Sequence, residues 1–197
     1  MYTLKQLKCD LGRDIDAYLG FAAEYNRGAH GWRSRASALF MPSVMACLLY
    51  RISHWLHSHR LRRLALSIAW INLQLTKVSI NPASQIGGGL YIPHPATGIV
   101  FQGIAGRDLK LMAGSGATAG PFSPLHSYES SEMPHLGDNV SLGSKAFVIG
   151  PVSIGSGVKI GFNSCITQDV ASGAIVVAPH VRNRVIARKK EGDTCLR

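Results

Sequence analysis

A six-residue period running through the second half of the chain limits the fold more than any other feature. Written in sixes from Ile80, an aliphatic or small residue opens nearly every line: INPASQ, IGGGLY, IPHPATG with one residue more, IVFQGI, AGRDLK, LMAGSG and ATAGPF. The irregular SPLHSYESSEMPH intervenes, and the sixes resume as LGDNVS, LGSKAF, VIGPVS, IGSGVK, IGFNSC and ITQDVA. Each six is expected to form a short strand, with three strands closing a triangular coil. The opening residues then point inward and stack on those of the coils above and below, so the repeat builds one continuous core.

Before this period begins, the apolar spacing is helical. Leu7, Leu11, Ile15, Tyr18 and Ala22 recur at three and four residues, as do Met45, Leu48, Ile52 and Trp55. A third helical stretch runs from about Arg60 to Leu75, basic at its start and apolar later. Such a helix can lie on a membrane surface, but packing against a partner helix or a second subunit is the favoured expectation. ALFMPSVMACLLY, interrupted by Pro42 and closed by Arg51, reads as buried helix too short to span a bilayer. The boundaries are an α-helical N-terminal domain over 1–78 and a solenoid over 79–187. The solenoid carries an inserted loop at about 122–135, and a basic tail occupies 188–197.

The 197 residues carry a net charge of +10, which asks for an anionic partner. Nucleic acid is not expected, because no recognisable nucleic-acid module and no aromatic stacking pattern accompanies the basic residues. Cys9, Cys47, Cys165 and Cys195 form no C-x-x-C pair, so neither a metal site nor a disulfide framework is indicated. The N-terminal MYTLKQLKCDLGRDIDAYLG carries acids and no apolar core of a signal peptide. A reducing, cytoplasmic location is the expectation.

The segment INPASQIGGGLYIPHPATGIV, preceded by LLYRISHWLHSHRLRRLALSIAWINLQL, resembles the hexapeptide-repeat acyltransferases over about residues 78–187. It is most similar to serine acetyltransferases and their relatives in surface-polysaccharide synthesis. The resemblance implies a mainly β fold, a left-handed parallel β-helix preceded by helices. It also implies acetyl-CoA as acyl donor, no metal, and a homotrimer or a hexamer of two trimers. It makes His94 the general base. The family's orienting aspartate falls on Ser79 and the aspartate before its histidine on Pro93; Pro95 is one residue more than the usual pattern. Asp108, Glu129 and Glu132 are therefore further candidates to orient His94. Backbone N–H groups of Gly98 and Gly103 are expected to receive the oxyanion. Lys159, Arg182 and Arg184 are expected near the phosphates of coenzyme A, with Ser144 and Phe162 as further coenzyme contacts.

A histidine suits this chemistry on its own terms. A hydroxyl attacks a thioester only as its proton is removed, and a neutral imidazole does this near pH 7. His126, in the interrupting loop, is the second candidate base. That loop offers His126, Glu129, Glu132 and His135 to an acceptor. Where the family grips a serine carboxylate with Arg and His before a proline, this chain has Glu132 and Met133. Glu132 repels a carboxylate, so the expected acceptor is a saccharide hydroxyl, with serine as the alternative. A non-catalytic solenoid scaffold is the rival from a different class.

Overall fold

The protein is described by a computed structural model, which covers residues 2–25, 32–120 and 132–179. Four helices lead: α1 (Leu4–Tyr25), α2 (Trp32–Ala38), α3 (Pro42–Ser58) and α4 (Arg62–Thr76). A reciprocal cap starts α1, where Thr3 N–H donates to Gln6 Oε1 at 2.8 Å and Gln6 N–H to the Thr3 hydroxyl at 3.2 Å. Pro42 opens α3 at its first turn, where a missing N–H costs nothing. It therefore starts a helix where the sequence suggested an interruption. Leu39, Phe40 and Met41, expected inside a buried helix, are exposed ahead of it. α2 had no counterpart in the sequence reading. Lys77 adopts a left-handed conformation (φ 61°) that ends α4.

The remainder winds into a three-sided solenoid. One face stacks β1 (Val78–Ile80), β3 (Ile99–Phe101), β6 (Gly116–Thr118), β9 (Phe147–Ile149) and β12 (Cys165–Ile166). A second stacks β2 (Gln85–Ile86), β4 (Ile104–Ala105), β7 (His135–Leu136) and β10 (Ser153–Ile154). The third stacks β5 (Lys110–Leu111), β8 (Ser141–Leu142), β11 (Lys159–Ile160) and β13 (Ile175–Val176). All pairings are parallel, and Ser141 meets Lys159 as Phe147 meets Cys165, one regular coil of three sixes. The first coil is longer, pairing Val78 with Ile99, and the excess bulges out as the turn Pro93–Gly98. The second is shorter, pairing Val100 with Gly116.

Every opening residue of the sixes is buried, from Ile80, Ile86 and Ile92 through Leu136, Leu142 and Val148 to Ile160 and Ile166. A second inward tier lies two residues earlier in each strand. It is formed by Leu90, Leu109, Val140, Ala146 and Val158, with Ser84, Ser115 and Ser164 at the same level. This tier follows from strand alternation, since residues two apart share a face.

The helical layer sits on the first coil, and α3 lays side chains onto that coil's carbonyls. Ser43 Oγ donates to Ile92 O, Cys47 Sγ to Leu90 O at 3.5 Å and Tyr50 OH to Ser84 O at 2.9 Å. Arg51 donates to Ile86 O and, at 2.7 Å, to Gly87 O. Asp14 of α1 takes Arg51 Nε at 2.9 Å and Nη2 at 3.0 Å, and accepts the N–H groups of Gly89 and Leu90, each at 2.8 Å. Burial pushes the Asp14 carboxyl up against the pull of Arg51, whereas Asp14 holds the Arg51 guanidinium charged although burial opposes it.

Candidate active site

His94 stands at the corner between the third face and the first, as the residue before a single 3-10 turn, Pro95–Thr97. The turn is fixed from its own side chains. Thr97 Oγ1 donates to His94 O at 2.6 Å and accepts Gly114 N–H from the next coil at 3.0 Å. The His94 side chain is exposed, and among the described residues nothing hydrogen-bonds its ring. A cleft of about 320 Å³ opens beside it, lined by Tyr18 of α1, Met41, Pro42 and Ser43 at the start of α3, and Pro93–Thr97.

The same corner recurs in every coil below. Lys145 N–H donates to Ala113 O at 2.8 Å and Asn163 N–H to Ser144 O at 2.9 Å, so Thr97, Gly114, Lys145 and Asn163 form one column. Ser144 and Phe162 are exposed on that column, Phe162 at 73 %. Lys159 is exposed on the third face, in the row that also holds Lys110 and Ser141. The solenoid thus gathers His94, Ser144, Phe162 and Lys159 along one edge and its adjoining face.

Other expected residues fall elsewhere. Ser79 lines a separate cleft against Leu66, Trp70 and Leu73 of α4 and makes no hydrogen bond to His94. It lies on the strand's outward side, since Val78 and Ile80 take the core. Asp108 pairs with Arg13 at 3.1 Å on the opposite corner of the coil. Gly98 N–H donates to Pro95 O at 3.2 Å and Gly103 N–H to the Ser84 hydroxyl at 3.3 Å, so both intended oxyanion donors are engaged. Gly103 is further pinned because a Cβ there would meet Pro134 O at 2.6 Å. His135, expected in the loop, is the first residue of β7, paired to Ile104 and Ser153. Met133 is buried and Glu132 half-buried where the chain rejoins the solenoid. His126, Glu129, Arg182 and Arg184 lie outside the described residues. Tyr18 was read only as part of an apolar helical stripe, and Ser43 and Thr97 went unnoticed in the sequence; only the capping pattern H-P-A-T could have flagged Thr97.

Comparison with known proteins bears on what this edge does. The bacterial transferase hexapeptide (six repeats) family matches residues 133–168. The serine acetyltransferase of Helicobacter pylori is 31% identical over 141 residues, which cover 71% of this chain and 79% of that protein. The chain belongs to the serine acetyltransferase family. The Mycobacterium tuberculosis serine acetyltransferase is 34% identical over 143 residues, 69% of this chain but 58% of its own length. Soybean serine acetyltransferase, as the apoenzyme, superposes with a TM-score of 0.74 at 26% identity, covering 90% of this chain and 69% of that one. The fold is therefore the left-handed parallel β-helix of hexapeptide transferases, and the protein is an acetyl-CoA-dependent acyltransferase acting on a hydroxyl.

These relatives overturn the expected saccharide acceptor, since they are named for serine. Only an alignment of Glu132 and Met133 with a substrate-gripping pair spoke against serine. Met133 is buried and β7 starts at His135, so this stretch belongs to the solenoid wall as much as to the loop.

Proposed function

We propose that the protein transfers the acetyl group of acetyl-CoA to the hydroxyl of serine, with His94 as general base. The observation that carries this reading is the exposed His94 at the head of the column that continues through Ser144 and Phe162. The neutral imidazole takes the hydroxyl proton as the oxygen attacks the thioester carbonyl. The tetrahedral intermediate collapses, the C–S bond breaks, and the departing thiolate of coenzyme A takes up the proton. Ala96 N–H, beside His94 and without a partner among the described residues, is left to face the oxyanion. The coenzyme runs down the column, its pantetheine past Ser144 and Phe162 and its phosphates toward Lys159. The active form is a trimer working in a reducing compartment, where Cys9, Cys47 and Cys165 stay free thiols.

The test is thiol release from acetyl-CoA with L-serine as acceptor. His94→Ala is expected to lower kcat by about a hundredfold or more while leaving acetyl-CoA binding and the unfolding transition in place. Failure of serine to accelerate thiol release, or a fully active His94→Ala variant, would overturn the reading. A sedimentation mass of one chain at micromolar concentration would remove the trimer.

A further inference from the structure

From residue 25 to residue 107 the chain contains no Asp and no Glu, although it has 11 acidic residues in all. The α3–α4 hairpin lies wholly inside that stretch. Its turn carries Arg60, and Arg62 and Arg63 open α4, all three exposed. None of the three meets an acid among the described residues. Among the described residues, five aspartates pair elsewhere, Asp10 and Asp14 with Arg51, Asp16 with Arg35, Asp108 with Arg13 and Asp138 with Arg107, and Asp169 accepts Ser153 N–H.

α4 is apolar on two flanks. Its buried stripe, Ala65, Asn72 and Thr76, faces inward. Leu66, Trp70 and Leu73 border the cleft shared with Ser79, Val100 and Gln102. The other flank is Leu61, Leu64, Ile68, Ile71 and Leu75, spaced at three and four residues and so aligned along one side. Leu61, Leu64, Ile71 and Leu75 are 45%, 56%, 37% and 64% exposed. A stripe of this size left open is a surface that something covers.

We propose that this flank and the basic turn beside it dock on an anionic lipid bilayer. Leucines and isoleucines enter the acyl boundary while Arg60, Arg62 and Arg63 stay at the headgroups, the arrangement of an interfacial helix. No described helix is long and apolar enough to cross a membrane, so the contact is with the surface. Charge decides between occupants. A second copy placing the same face against this one across a two-fold axis would set three arginines against three, with no acid on either hairpin to relieve them, and a neighbour in the proposed trimer would have to bring another face whose paired aspartates are already taken. An anionic bilayer complements both features at once.

The experiment sediments the purified full chain with phosphatidylcholine vesicles and with mixed phosphatidylcholine–phosphatidylglycerol vesicles, and measures its mass in solution by light scattering. Binding to the mixed vesicles is expected to be at least about tenfold stronger than to the neutral ones, and to weaken with salt. Arg60→Glu/Arg62→Glu/Arg63→Glu should lose about tenfold or more of that binding. Leu64→Ser/Leu75→Ser should lose a comparable share, and both variants should keep acetyl-transfer activity without vesicles. Absence of vesicle binding by the wild type overturns the proposal. So does full binding by the leucine variant, which would mean simple adsorption of a polycation. A leucine variant that falls to a smaller oligomer while the wild type ignores vesicles would assign the flank to a second copy.

Discussion

The solenoid and the helical layer bury different mixtures of residue. In the solenoid the opening tier is wholly aliphatic, and the second mixes Leu109, Val140 and Val158 with Ser84, Ser115 and Ser164. In the helices the buried positions include Asp14, Ser43, Arg51, Ser53, Asn72 and Thr76, and much of the apolar surface points outward. The difference follows from backbone hydrogen bonding. An inner coil gives its carbonyls and N–H groups to the coils on either side, whereas the first coil has no coil above it. Its free edge is an exposed strand edge that must be capped. Ser43, Cys47, Tyr50 and Arg51 supply donors to that edge, and Asp14 supplies the acceptor for Gly89 and Leu90.

The largest expected effect tests that capping role. Arg51→Ala leaves Asp14 charged in a dry site and frees the carbonyls of Ile86 and Gly87. It should cost about 3–5 kcal/mol in chemical denaturation, the usual result of breaking a buried pair from one side. Asp14→Leu/Arg51→Met separates two accounts. An ion pair serving only itself can often be replaced by apolar residues without loss. Here Ile86, Gly87, Gly89 and Leu90 would still lack partners, so the double variant should remain destabilised. Recovery to wild-type stability would show that the layer packs and does not cap.

In the solenoid the matching change is Leu142→Ala, which empties a fully buried position between coils. About 3 kcal/mol is expected, from lost transfer energy and the cavity left behind. Acetyl-transfer activity below the midpoint should persist, since Leu142 stacks between Leu111 and Ile160, two coils below the His94 turn. A loss as small as that of a surface substitution would mean that the stacked tier is loosely packed.

The same contrast explains what could be read from sequence. The opening tier was legible because stacking on identical neighbours demands an apolar residue at a fixed period, from Ile80 to Ile166. The helical layer was not, because its inner face mixes polar residues with Val44, Ala46, Cys47 and Tyr50. The apolar stripes Leu7, Leu11, Ile15 and Met45, Leu48, Ile52 are only half-buried, while Asp14 and Arg51 hold the interior. A periodicity search looks for hydrophobicity, and a capping face supplies hydrogen-bond donors instead. At the site, the segment singled out His94, which the structure places exposed beside a cleft. Ser79 was placed by counting residues along the chain, and the separate clefts of Ser79 and His94 are a property of the coil's outer surface. The acceptor was misjudged because Glu132 and Met133 were aligned with a substrate-gripping pair across the irregular loop, and the structure buries Met133 where the chain rejoins the solenoid.

Two serines on one tier sharpen the comparison at lower energy. Ser84 Oγ accepts Gly103 N–H at 3.3 Å and Tyr50 holds the Ser84 carbonyl, so Ser84 belongs to both regions. Ser164 is buried lower in the solenoid, and its Oγ has no partner among the described residues. Ser84→Ala should cost about 1–2 kcal/mol, the desolvation of an N–H left unpaired. Ser164→Ala should be neutral or slightly stabilising, because it removes only an unsatisfied hydroxyl. Thermal melts of the two variants decide it, and equal losses would deny any difference between the capped end and the stacked interior.

The smallest effect expected is a pH dependence confined to the helical layer. His54 lies between α1 and the first coil, its Nδ1 2.9 Å from Pro82 O and its ring against Tyr2 and Tyr50. Burial lowers its pKa from the ordinary 6.5, with Arg51 and His57 pushing the same way and the Pro82 carbonyl and Asp10 pulling up. His57 is lowered too, by burial and by Arg62. A histidine lowered in the folded state binds its proton first when unfolded. Stability is therefore full above the unfolded value and falls as pH drops through about 6.5 toward the folded value. The wild type should melt progressively lower below about pH 6.5, and His54→Gln, which keeps an N–H for Pro82 O, should show a shallower fall. An identical slope in the variant would move the titration out of the helical layer. An inverted slope would mean that the layer holds His54 charged, and that the capped end is wetter than its hydrogen bonds imply.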